Sequence, residues 1–402
     1  MPKECIICHF DWPVSEKSVF LPHDERNQFG NNIMNRSIIL GAALLALASC
    51  THDVRIEVTN ASQSVAHDRT VEIAWSELRG VKPENVVVLN DEGEQIPSQT
   101  IYAGSETPQS LIFQADAEPG RTLRFTVSAG ERKEFESKVY GRQVPERYDD
   151  YAWENDKVAY RLYGPALETS PEKLITPGID VWVKSTDRLV IDERYARGNY
   201  HHDYGDGMDC YKVGVTLGSG ASLPFVGGKF WMMGHNYAGQ RTLDNGPIRT
   251  TVELTYAPFE VDGKEVALVK TISLDAGSHF SRMENRYTGA EMPIAAGVVR
   301  HDVKEFAQGA GWLALREAAS DSDDPARDGD IYLAIVLPGA EILPDTLGHA
   351  LAVKTAADGE PLVYYAGSGW SKGGIDDMEQ WERMTAEFSA SLAEPLQVKI
   401  VR

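Results

Sequence analysis

The densest collection of reactive side chains lies between residues 195 and 212, Tyr-Ala-Arg-Gly-Asn-Tyr-His-His-Asp-Tyr-Gly-Asp-Gly-Met-Asp-Cys-Tyr-Lys. So many titratable groups beside so many glycines predict an irregular loop, and loops carried by a rigid scaffold are where chemistry concentrates. His201 and His202 are candidate general acid/base groups, because imidazole titrates near neutral pH. In an extended segment they point to opposite sides, so only one faces a given cleft. His202 is slightly preferred because it adjoins the glycine-rich stretch. Tyr211 is its candidate partner, and Tyr200 and Tyr204 are further phenols in reach. Lys212 can neutralise a carboxylate or a developing enolate.

Asp203, Asp206 and Asp209 recur every third residue and could hold calcium if a cation is present, although they do not form an EF-hand loop. Zinc is poorly served, because no His-x-x-x-His pair occurs. Cys210 is a conceivable thiol nucleophile. Outside this segment, His235 follows Trp231-Met232-Met233-Gly234. Arg249 follows Gly246-Pro247 at the start of an apolar-periodic strand, where a guanidinium can clamp a carboxylate or pair with a neighbouring acid. Trp153 can stack on a sugar ring or fill a core, and Arg161 follows it closely. No nucleophile elbow, phosphate loop or dinucleotide fingerprint appears.

These residues need a scaffold, and the pattern supplies strands. Apolar residues alternate with polar ones at Val54–Val58, Thr70–Trp75, Val86–Leu89, Leu111–Phe113 and Leu123–Val127, with turns such as Asn90–Gly93 between them. This predicts a small β-barrel or sandwich over 51–140. Residues 131–150 are charged, contain Pro145 and read as a linker. Over 141–402, strand patterns at 158–163, 178–184, 213–217, 252–256, 266–274, 280–287, 294–299 and 331–336 show no βαβ rhythm. The expected fold is all-β, mostly antiparallel, with a large sandwich. One helix is expected near the C-terminus, where Met378, Trp381, Met384, Thr385 and Phe388 share a face and Asp376 or Asp377 caps it.

The N-terminus reads as an export signal. Met34-Asn35-Arg36 is a short basic region, Ile38–Ala46 is apolar, and Leu47-Ala48-Ser49-Cys50 is a lipobox ending in the cysteine to be acylated. Residues 34–50 are therefore the lipoprotein signal, and residues 1–33 precede it as an upstream start. Cys5-Ile6-Ile7-Cys8-His9 matches a haem-attachment pattern but lies on the discarded side. The expected location is the periplasmic face of a membrane, in keeping with the outer membrane. The net charge of −21 argues against nucleic acid as a partner and requires a local cation for any acidic ligand.

Several strings resemble a Bacteroidetes family of lipoproteins built on a domain of unknown function. They are Trp153-Glu154-Asn155-Asp156, Tyr160–Ala166, Gly178–Lys184, Tyr200–Gly214 and Gly246–Arg249, and the His201-His202-Asp203 segment is the most specific of them. The resemblance covers nearly all of the mature chain. Members sit in polysaccharide-utilisation clusters, and one relative resembles an oligosaccharide dehydratase acting on uronic-acid ends in ulvan breakdown. The small β domain is similar to the one preceding rhamnogalacturonan-lyase-like sandwiches. Trp370–Gly373, the C-terminal helix and Glu394–Val398 resemble galactose-mutarotase-like supersandwiches. The resemblance implies β-elimination on an acidic oligosaccharide. Substrate contacts are expected from Trp153, Arg161, Tyr200, Asp203, Asp209, His235 and Arg249, with no cofactor beyond a possible calcium. A glycoside hydrolase using two of the loop aspartates, and a non-catalytic glycan-binding lipoprotein, are the alternatives.

Overall fold

The computed structural model describes residues 53–322 and 324–401, so Cys50 and the signal lie outside the described residues. The alternation near the N-terminus becomes a sandwich of two small antiparallel sheets. One orders the strands Gln397–Val401, Val54–Thr59, Thr122–Ala129, Val86–Leu89 and Gln95–Ile96. The other orders Ala66–Ala74, Ser110–Ala117 and Ser98–Ile101. Ile56, Val58, Val88, Phe125 and Val127 of the first sheet meet Val71, Ile73, Leu111 and Phe113 of the second in one core.

The last strand corrects the expected boundary. Gln397–Val401 returns to this sheet, with Ile56 opposite Ile400 and Val58 opposite Val398. It covers the backbone edge that the first strand would otherwise expose.

The rest is a supersandwich of three antiparallel sheets around one continuous core. The nine-stranded sheet includes Arg249–Thr255, Lys264–Asp275, Phe280–Thr288, Pro361–Trp370 and Asp330–Val336. A five-stranded sheet centred on Met292–Val299 and His349–Ala356 packs against it. The third sheet orders Gly207–Asp209, Ile179–Lys184, Ala159–Leu162, Asp150–Asn155 and Val139–Val144.

That third sheet overturns part of the expected linker. Within 131–150, Val139 and Gly141 are buried on one face, Val144 packs against Ala152 and Ile191 on the other, and the segment Val139–Val144 pairs with Asp150–Asn155. The expected strand at 213–217 is a loop instead. Gly214 and Gly218 both take φ +58°, and Thr216 Oγ1 donates to the Val213 carbonyl at 2.6 Å. Val213 and Leu217 are buried while Val215 faces solvent.

The C-terminal helix Met378–Ala393 forms as expected. The Asp377 carboxylate caps it by accepting from the Gln380 amide at 2.8 Å. Its apolar face lays Trp381 flat against Phe280, with centroids 5.6 Å apart, on the back of the nine-stranded sheet.

Candidate active site

The dense segment lies over the polar face of the third sheet. Alternation sends Tyr160 and Leu162 into the apolar core, which turns Arg161 to the opposite face. There Arg161 stands directly across from Asp180 on the neighbouring strand. Its guanidinium donates to Asp180 Oδ2 through Nη2 at 2.6 Å and through Nε at 3.0 Å. Nη2 also donates to Asp209 Oδ2 at 3.0 Å, and Asp150 Oδ2 lies 3.9 Å from Nε. All four residues are buried.

The face is sealed by the short helix Ile191–Arg197 and the turn after it. The Glu154 carboxylate accepts from the Val190 and Ile191 amides and from the Lys184 ammonium at 2.9 Å. Arg194 donates to the Val183 and Asp206 carbonyls.

Burial pushes the Asp150 carboxyl up to about 6 against the opposing pull of Arg161. Burial also raises Asp180, with the Asp209 charge adding to the rise. Asp209 is raised by burial in the same way, again against Arg161. Each of the three keeps one oxygen without a hydrogen-bond partner. The network is buried around Arg161, so Arg161 and Asp209 do not reach the surface as the expected substrate contacts would.

Tyr200 links this network to the surface. Its ring stacks on Trp182, with centroids 4.9 Å apart at 23°. Its hydroxyl accepts from Arg161 Nη1 and Arg147 Nε, each at 3.3 Å. His201 follows in an exposed turn, with Nδ1 3.1 Å from the Asp209 carbonyl oxygen. That carbonyl can only accept, so Nδ1 carries the proton and Nε2 presents its lone pair outward.

His202 is exposed, and its one ring contact among the described residues is the edge of Tyr204, with centroids 4.6 Å apart. The backbone turns here rather than running extended, and although His202 adjoins the glycine-rich stretch, it is His201 whose ring nitrogen is held by the backbone. Lys212 is exposed, and its ammonium has no partner among the described residues; only its backbone amide is engaged, by Ser320 Oγ at 3.0 Å.

Tyr211 is corrected from acid partner to buried support. It is 2% exposed, and burial holds its phenol well above the ordinary range. Its ring meets the edge of His301, with centroids 5.3 Å apart. His301, just after the strand Met292–Val299, is a second imidazole held by a carboxylate. Its Nδ1 lies 2.8 Å from Oε1 of the fully buried Glu317, and its side chain is 21% exposed. The carboxylate fixes the tautomer with the proton on Nδ1, leaving the lone pair on Nε2. His201 is held by the backbone of residue 209, and His301 meets the ring of residue 211.

Several expected contacts are structural. Trp153 is 1% exposed, donates its indole N–H to Ser281 Oγ at 3.1 Å, and stacks on Tyr160 inside the core. Arg249 donates to both oxygens of Asp275, at 2.6 and 2.8 Å, and to Glu72 at 3.0 Å, so its guanidinium is already committed. His235 is 63% exposed and pairs with Glu168 at 3.0 Å.

The three loop aspartates do not converge as a ligand set. Asp203 Oδ1 accepts from the Gly205 and Gly207 amides, Asp206 pairs with Arg197 at 3.1 Å, and Asp209 pairs with Arg161. Among the described residues no three His, Cys, Asp or Glu side chains form a group that could hold a metal. Cys210 is a buried free thiol, raised by burial and by neighbouring carboxylates.

Comparison with solved structures places the fold beside glycoside hydrolase family 38. The chain is similar to a family 38 protein from Enterococcus faecalis, with a TM-score of 0.50, 9% identity, and coverage of 87% of this chain and 47% of that one. It is also similar to an alpha-mannosidase from Enterococcus faecalis V583, with a TM-score of 0.51, 8% identity, and coverage of 87% and 46%. The chain thus spans about half the length of these structures, and at such identity the likeness is one of fold. In sequence it is 33% identical over 319 residues to the uncharacterized protein P7 of Formosa agariphila, covering 73% of this chain and 78% of that one. The model of a domain of unknown function, DUF4861, matches residues 58–398, and the chain belongs to that family.

Proposed function

We propose that the protein is a carbon–oxygen lyase, most simply a dehydratase, acting by β-elimination on uronate-ended oligosaccharides. The observation that carries this reading is the pair of oriented imidazoles. His201 and His301 each have Nδ1 engaged by an acceptor, which leaves both Nε2 atoms for proton transfer. Next to Tyr211 in the chain, exposed Lys212, with no ion pair among the described residues, offers the cation that a uronate needs in so acidic a chain.

One Nε2 takes the C5 proton alpha to the carboxylate, and Lys212 stabilises the charge that develops on that carboxylate. The second imidazole, protonated, gives its Nε2 proton to O4. The C5–H and C4–O bonds break, a C4=C5 double bond forms, and water departs. Asp209, Arg161 and Tyr200 hold the His201 turn, and Glu317 and Tyr211 hold His301.

The hydrolase reading needs two available carboxylates, whereas Asp206 and Asp209 are buried in ion pairs and Asp203 is bound within its own turn. On the same proposal, the lipobox at Leu47–Cys50 leads to export and to anchoring through acylated Cys50, facing the periplasm.

Mass spectrometry of uronate oligosaccharides incubated with the protein tests the reading. Elimination removes one water and creates an ultraviolet-absorbing conjugated end. Hydrolysis adds water, and a binding protein leaves the sugar unchanged.

A further inference from the structure

Away from the His201 turn, a groove of about 420 Å³ lies between the N-terminal sandwich, the nine-stranded sheet and the C-terminal helix. That size suits a small ligand. Phe388 lies flat on Phe280, with centroids 4.1 Å apart at 9°, and meets Tyr365 edge-on at 5.0 Å. Phe388 and Tyr365 are only partly buried, so the groove has an aromatic wall.

Arg69 enters from the strand Ala66–Ala74. A bulge between Ala66 and Arg69 shifts the register there, with Asp68 at φ +46° held by the Asp116 carboxylate on its amide at 2.7 Å. Bulges re-aim side chains in this way.

The other guanidiniums on the groove are committed, Arg249 to Asp275 and Glu72, and Arg282 to Glu284 at 2.8 Å. Arg69 has no hydrogen bond or ion pair among the described residues, and its nitrogens are not sealed from the groove. Burial depresses its pKa, in keeping with a charge that has lost solvent without gaining an acceptor. A planar fork with open donors beside an aromatic wall matches a ring that carries an anionic group.

We propose that this groove is a second, non-catalytic site that binds one unit of an acidic sugar, its carboxylate or sulfate on Arg69 and its ring against Phe388 and Tyr365. The sugar class rests on the proposed function, whereas the anion preference rests on Arg69 alone.

The test is calorimetric titration of the purified protein, and of its Arg69→Gln, Arg69→Lys and Lys212→Ala variants. The probes are digalacturonate, a sulfated disaccharide and a neutral hexose disaccharide. Loss of hydrogen bonds to a charged group predicts about 10- to 100-fold weaker binding of the anionic probe in Arg69→Gln. Arg69→Lys should fall between, melting temperatures should be unchanged, and turnover of short substrates should be intact. Whichever anionic probe depends on Arg69 identifies the group. Lys212→Ala should retain this binding even if no probe is ever turned over, which separates failure here from failure of the catalytic reading. Wild-type affinity of Arg69→Gln for both anionic probes, binding abolished only by Lys212→Ala, or equal affinity for the neutral sugar would overturn the proposal.

Discussion

Replacing Arg161 with Met tests whether the network beneath His201 is held by one cation. Met approximates the length of the side chain while removing its charge. Three carboxylates that are at most 1% exposed would lose their shared partner. Breaking a buried pair by removing one member costs about 3–5 kcal/mol, and that range is expected at pH 8.

The sign of the pH dependence follows from the raised carboxyls. In the unfolded chain they ionise in their ordinary range. In the folded protein Asp150 holds its proton to about 6, and Asp180 and Asp209 are raised as well. Between those limits the folded state binds more protons, so stability falls as pH rises through the window. Loss of Arg161 lifts the folded values further and widens that window. Each retained proton contributes a limiting slope of about 1.4 kcal/mol per pH unit. The deficit of Arg161→Met should therefore be largest at pH 8 and markedly smaller at pH 5. Urea unfolding followed by tryptophan fluorescence at both pH values measures it. A deficit under about 1 kcal/mol, or one equal at both pH values, refutes the assignment of Arg161 as the counter-charge of the cluster.

Arg249→Ala should cost roughly 1–2 kcal/mol of stability by unpairing Asp275 and Glu72, while KM stays at its wild-type value; a raised KM with an unchanged melting temperature would return Arg249 to the substrate. Tyr211→Phe removes a buried hydroxyl that has no hydrogen-bond partner among the described residues, so the melting temperature should hold or rise and turnover should stay near wild type; a loss of ~10²-fold would make the phenol catalytic. His202→Ala should leave kcat within a few-fold, since the one ring contact of that imidazole among the described residues is Tyr204, and a large loss would restore the preference for His202.

Much of the fold is legible as local pattern. Period-two runs such as Val54–Val58 and Val266–Leu274 become strands because one face must be buried, and Asp377 caps its helix because its carboxylate can reach the first free amides. Strands whose pattern is blurred escape notice. Val303–Gly309 is a sheet-edge strand with no fully buried residue, and the Ala-rich His349–Ala356 lacks a strong β-former alternation. The density of Tyr, His and Asp marks the 195–212 segment in the sequence. Its division of labour is hidden, because each partner comes from a distant strand. Asp209 meets Arg161 from 48 residues away, Arg249 meets Glu72 from 177 away, and His301 finds Glu317 across a hairpin. Burial reverses several roles for the same reason. Trp153 and Arg161 have the residue types of substrate contacts, but alternation on a doubly covered sheet places both inside.

On the proposed function, His201 and His301 work as an acid/base pair on a uronate end. This pairing is tested most directly by following the mass of uronate oligosaccharides with wild-type protein and with folded His201→Ala and His301→Ala variants. The wild type should remove about 18 mass units, the mass of one water, and each variant should be slower by ~10²–10⁴-fold. Unchanged oligosaccharide mass with the wild type, a gain of water, or near-wild-type rates in both variants would contradict it.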